Sequence, residues 1–117
     1  MNPEIKQRWV AALRSDKYKQ GIGKLRHKDD TFCCLGVLCD LAAQAGIGVW
    51  EFTENGTHFV TELQRVEGSL PHAVVLWAGV GSATPSVRTA GTSCALPLLN
   101  DHGTSFSEIA NLIEESL

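Results

Sequence analysis

The sequence predicts a small α+β domain over residues 1–117, with a central apolar helix, two β-hairpins, and packed N- and C-terminal helices. Three observations carry that prediction. A chain of 117 residues with 44% hydrophobic and 20% charged residues has the size and composition of a single globular core. Apolar residues recur at helical spacing near both ends, and a nearly continuous apolar run lies between them. An Asn-Gly pair flanked by aromatic and β-branched residues marks a hairpin and excludes an all-helical fold.

Asn2 before Pro3 supplies an N-cap and a preset first helical residue, and Ile5, Trp9, Ala12 and Leu13 share one face, so a helix is expected over Pro3–Arg14. Gly21 and Gly23 interrupt helical character. Ile22, Lys24 and Arg26, then Thr31 to Cys33, read as two short strands around the polar turn His27-Lys28-Asp29-Asp30, a basic hairpin. The run from Cys33 to Ala43 is apolar nearly all round and stops before Gly46, which predicts a helix from about Cys34 to Ala45 at the centre of the core. In GVWEFTENGTHFVTEL, a two-residue Asn55-Gly56 turn would set Glu54 opposite Thr57, Phe52 opposite Phe59 and Trp50 opposite Thr61. Three aromatics then share one face, and Asn55-Gly56-Thr57 reads as a turn rather than a glycosylation acceptor. Pro71 opens a short helix that Gly79 ends. From Val80 to Cys94 the chain is rich in Gly, Ser and Thr around Pro85, and an irregular loop, either mobile or functional, is expected. Ser105 and Glu108 form a capping box for a last helix carrying Phe106, Ile109, Ala110, Ile113 and Leu117 on one face.

Charge is divided unevenly along the chain. The net formal charge is −3, yet residues 1–28 hold eight of the ten basic residues against Glu4 and Asp16, while the rest holds only Arg65 and Arg88 against eleven acids. The first segment is therefore net +6 and the remainder net −9. Such a split suits an anionic partner, or a second copy of the chain whose acidic part meets the basic one. No apolar run approaches the roughly 18 residues that span a bilayer, and MNPEIKQRWV lacks a signal-peptide core, so a cytoplasmic location is expected and no membrane partner. Reduced thiols follow for Cys33, Cys34, Cys39 and Cys94.

Several chemistries fit the sequence poorly. LPLLNDHGTSFSEIANLIEE has the look of a helix-turn-helix, but its second helix would offer Glu108, Glu114 and Glu115 to DNA and no cation, which argues against sequence-specific DNA binding. Cys33, Cys34, Cys39 and Cys94, with His27, His58, His72 and His102, lack metal-site spacing, so no metal or cofactor is expected. A cysteine-dependent hydrolase would use Cys33 or Cys34 at a helix N-terminus with His102 and Asp101, yet an apolar helix would bury those thiols. The stronger candidate is the run from Lys17 to Arg26. Gly21 and Gly23 would let amides approach a phosphate, Lys17, Lys19, Lys24 and Arg26 would neutralise it, and Tyr18 and Gln20 would stack on and hydrogen-bond a base. Neither a third glycine nor a Gly-Lys-Ser/Thr ending makes it a known nucleotide loop.

The strings RWVAALRSDKYKQGIGKLR, TFCCLGVLCDLA, LPHAVVLWAGV and LLNDHGTSFSEIANLIE resemble, over most of the chain, a group of small uncharacterised bacteriophage and prophage proteins, with FCCLGVLCDLA the most specific. The resemblance implies a setting inside an infected bacterial cell and transfers no site residue. The functional expectation is a non-enzymatic counter-defence protein that sequesters a host-derived, nucleotide-like anion. A protein-protein inhibitor of a host defence complex, in the manner of an anti-CRISPR protein, and the cysteine hydrolase are the alternatives.

Overall fold

In the computed structural model, which describes residues 1–117, helix α1 (Pro3–Arg14) starts where the Asn2 side chain accepts hydrogen bonds from the Glu4 and Ile5 amides at 3.0 and 3.1 Å. Ile5, Trp9, Val10 and Leu13 form its buried face. That face packs on α2 (Cys34–Gln44) and on α5 (Phe106–Ser116), which buries Phe106, Ile109, Ala110 and Ile113. The Ser105 hydroxyl caps α5 by accepting from the Glu108 amide, as the capping box requires. On the surface Arg14 grips both Glu114 oxygens at 3.0 Å and the Asn111 amide oxygen at 2.7 Å.

Helix α2 is the centre of the core: Cys34, Leu35, Gly36, Val37, Leu38, Cys39 and Ala42 are all buried. Its first residues have no local side-chain cap. The Trp9 indole instead donates to the Cys34 carbonyl at 3.0 Å, and the Cys34 amide donates to the Asn100 side chain at 3.2 Å.

Strands β3 (Val49–Thr53) and β4 (Gly56–Val60) make the antiparallel hairpin that the Asn-Gly pair announces, and β5 (Arg65–Val66) extends it. The register differs by two residues from the sequence expectation. Trp50 faces Phe59 and Phe52 faces Thr57, because the turn residues are Glu54 and Asn55 while Gly56 begins β4 at φ +129°. A two-residue slip preserves the faces of a strand, so Trp50, Phe52 and Phe59 still share one side. Trp50 and Phe59 meet edge to face with centroids 4.9 Å apart. At φ +129° a β-branched side chain is strained, so Gly56→Val is expected to cost roughly 1 kcal/mol or more, read as a melting temperature lowered by several degrees. An unchanged melting temperature would contradict this account of the turn.

Two expected features need correction. The basic hairpin is reduced to a single antiparallel bridge between Arg26 and Phe32, flanked by bonds from His27 N to Thr31 O and from Cys33 N to Leu25 O. Ile22 and Lys24 do not pair there. Leu25 N donates to Glu67 O instead, and β2 (Thr31–Phe32) takes a second neighbour, β1 (Lys19–Gln20), in parallel. The segment read as an irregular loop over Val80 to Cys94 contains another hairpin, β6 (Ser86–Thr89) with β7 (Thr92–Ala95). Its turn residues Ala90 and Gly91 both have positive φ, and alanine gives no sequence signal for such a turn. Val87, buried to 1% exposure, anchors it to the core. The short helices α3 (His72–Ala78) and α4 (Leu96–Asp101) complete the chain, and no helix is long and apolar enough to cross a membrane.

Candidate functional site

The ten residues between β1 and β2 leave the sheet, turn and return, and this excursion places Lys24, Arg26, His27, Lys28 and Asp29 opposite Glu54, Asn55, Gly56 and Thr57 of the β3–β4 turn. The two segments enclose an open cleft of about 490 Å³ with no hydrophobic residue in its lining. Nonlocal bonds set its width. Lys28 reaches across to donate to the Glu54 carbonyl at 2.9 Å, and the Leu25 amide is fixed on Glu67 O at 2.7 Å.

Each wall residue is held differently. Arg26 donates from Nε and Nη2 to Asp30 at 3.0 and 2.8 Å, while its guanidinium carbon lies 4.9, 5.3 and 4.9 Å from the ring centroids of Phe32, Trp50 and Phe52. It is a fold residue as much as a surface cation. His27 sits 2.6 Å from the Ile22 carbonyl through Nε2, and since a carbonyl only accepts, that nitrogen carries the hydrogen. Asp29 accepts from the Thr31 hydroxyl and amide, which hold its carboxyl below the usual aspartate range. Lys24 is half-buried and makes neither an ion pair nor a side-chain hydrogen bond. Thr57 is 1% exposed, and its hydroxyl is the one buried side-chain polar atom without a hydrogen-bond partner.

The candidate residues from Lys17 to Arg26 are not gathered in one place. Lys24 and Arg26 enter the cleft. Lys17 lines a separate groove with Arg8, Ser15 and Gln44, and Lys19 is exposed on β1. Tyr18 donates its hydroxyl to Asp40, which also accepts from the Trp50 indole at 2.9 Å; burial and then Asp40 hold the phenol above its ordinary range, so it stays protonated. Gln20 is consumed as well, donating to Asn100 and Thr104 and accepting from the Phe106 amide. The glycine amides are also taken: Gly21 N donates to Phe32 O at 2.7 Å and Gly23 N to Asp101 at 2.9 Å. The glycine cradle and the Tyr18–Gln20 base contacts expected from sequence are thus structural bonds. His27, Lys28, Asp29, Glu54, Asn55, Gly56 and Thr57 lie outside the run that sequence singles out, because only long-range pairing brings the turn to the excursion.

The cysteines are placed for packing. Burial pushes the thiols of Cys33, Cys34 and Cys39 up, away from the thiolate a nucleophile needs. Cys34 Sγ points to the Leu96 carbonyl at 3.7 Å, and exposed His102 makes no hydrogen bond to any of the thiols.

A family model described as a domain of unknown function, DUF8296, matches residues 1–117. The chain therefore belongs to the DUF8296 family. No curated protein and no solved structure matches it.

Proposed function

We propose that this DUF8296 protein is a non-enzymatic binder of a small phosphate-bearing anion, held in the cleft between the excursion and the β3–β4 turn. One observation carries the reading: Lys24 is half-buried at the wall of a wholly polar cleft and, although Asp29 and Glu54 also line it, makes no ion pair within 4 Å. Its ammonium donors have no protein acceptor in hydrogen-bond reach, and a ligand oxygen would supply one through a charge-assisted hydrogen bond. Thr57 adds a second unsatisfied group, since a buried hydroxyl without a partner costs about 1–3 kcal/mol. Arg26 and Lys28 supply further positive charge, with Arg26 pre-oriented by its aromatic neighbours. In the bacteriophage setting that the sequence resemblance implies, tight binding without turnover would sequester a host-derived signal.

The test is thermal stabilisation by pyrophosphate and by a panel of linear and cyclic nucleotides, followed by chromatography of the recovered ligand. Stabilisation with ligand returned intact is the expected result, whereas a converted ligand would mean an enzyme. Lys24→Gln should weaken binding about tenfold or more and flatten its salt dependence, with melting of the free protein nearly unchanged because the ammonium has no partner to lose. Thr57→Val should weaken binding without destabilising the free protein. Absence of stabilisation by every anion would remove this reading in favour of a protein-protein inhibitor.

A further inference from the structure

Phe52 is an exposed aromatic beside the cleft that Lys24, Arg26 and Lys28 line. It sits on β3, at the edge of the three-stranded sheet, and is 60% exposed while its strand neighbour Trp50 is half-buried. Its cross-strand partner is Thr57, which lines the cleft. The Arg26 guanidinium, also in the cleft wall, lies over the Phe52 ring at 4.9 Å from its centroid. An arginine over one face of a phenylalanine fixes the ring's orientation and leaves the rest of the ring to water.

Resting on the reading above that the cleft holds phosphate, we infer that its ligand is a mononucleotide whose base stacks on the exposed part of Phe52 and whose phosphate faces Lys24 and Lys28. Stacking suits a flat heteroaromatic ring of any identity, because every base has a π face. The cleft's wholly polar lining suits a sugar-phosphate and not the base itself, so the base needs an apolar platform outside the polar floor, and Phe52 supplies it. Two features favour a single nucleotide over a polymer. A volume of about 490 Å³ is that of a small-ligand pocket. The chain beyond residue 28 is net −9, which repels an extended polyanion.

The experiment compares adenosine monophosphate with ribose 5-phosphate, which keeps the sugar and phosphate and lacks the base, by calorimetric titration on wild type, Phe52→Ala, Phe52→Trp and Lys24→Gln. Wild type should bind the nucleotide at least tenfold tighter than ribose 5-phosphate. Phe52→Ala should abolish that ratio, the nucleotide losing far more affinity than ribose 5-phosphate, Phe52→Trp should retain it, and Lys24→Gln should weaken both ligands alike. Equal affinity of wild type for the two ligands, or a ratio that survives Phe52→Ala in a variant of native melting behaviour, would overturn the base platform and leave the phosphate reading standing. Tighter binding of a single-stranded decanucleotide than of the mononucleotide would also overturn it, in favour of a polymer. Failure of wild type to bind either ligand, with pyrophosphate also silent, would remove both.

Discussion

Gly36→Ala is expected to unfold the protein or cost it several kcal/mol, although alanine is the better helix former by roughly 1 kcal/mol. Gly36 lies in the first turns of α2, and a Cβ there would fall on the Leu25 carbonyl oxygen, with the Leu25 carbonyl carbon at 2.6 Å and Cα at 3.1 Å. The obstacle is backbone, so no rotamer change relieves it. Leu25 is itself fully buried and tied by its amide to Glu67 and by its carbonyl to Cys33 N, so moving it would drag the excursion away from the sheet. Denaturant unfolding followed by circular dichroism reads the loss directly. A variant as stable as wild type would mean that α2 and the excursion do not pack at this distance.

The second large effect is expected at Asn100, a fully buried amide that joins three distant segments. Its Oδ1 accepts from Gln20 Nε2 at 2.9 Å and from the Cys34 amide at 3.2 Å, and its Nδ2 donates to the Gly21 carbonyl at 2.8 Å. Asn100→Ala would strand a helix-terminal amide and a loop carbonyl in the interior, at a cost of about 3 kcal/mol or more. Asn100→Asp separates geometry from hydrogen bonding, because it keeps the acceptor for Gln20 and Cys34 but loses the donor to Gly21 and introduces a buried charge. Both variants should melt lower than wild type, and β1 should show the fastest amide hydrogen exchange gain, since Gln20 and Gly21 lose their anchor together. A loss below 1 kcal/mol for Asn100→Ala would show that these bonds are replaced by water.

Local signals in the sequence were reliable where the physics is local. Asn2-Pro3 and Ser105 with Glu108 start helices through bonds made within a few residues, and the apolar run after Cys33 can only be a buried element. The Asn-Gly hairpin was legible but for its turn, because Gly56 serves a strand position instead of a turn position. The site was half legible. Lys24 and Arg26 stood out by charge, yet the opposing wall at Asn55–Thr57 comes from a hairpin whose placement depends on Leu25 meeting Glu67. Gly21 and Gly23 look the same in sequence whether their amides face a ligand or are claimed by Phe32 and Asp101. Arg26 reads in sequence as a strand cation that neutralises phosphate; its three aromatic neighbours make it a packing residue as well, so replacing it would confound binding with stability.

The side-by-side packing of α1 on α5 bears on how the protein is made. Helix α1 cannot complete the cover over Ile5, Trp9, Val10 and Leu13 until α5 is made, because α2 takes only part of that face and the rest meets Phe106, Ile109 and Ile113. At ordinary elongation rates the roughly 90 intervening residues take on the order of 5–20 s to synthesise, and through that interval the part of the face that α5 covers lacks its partner. The contacts between α1 and α5 are therefore among the last of the core to form as the chain is made.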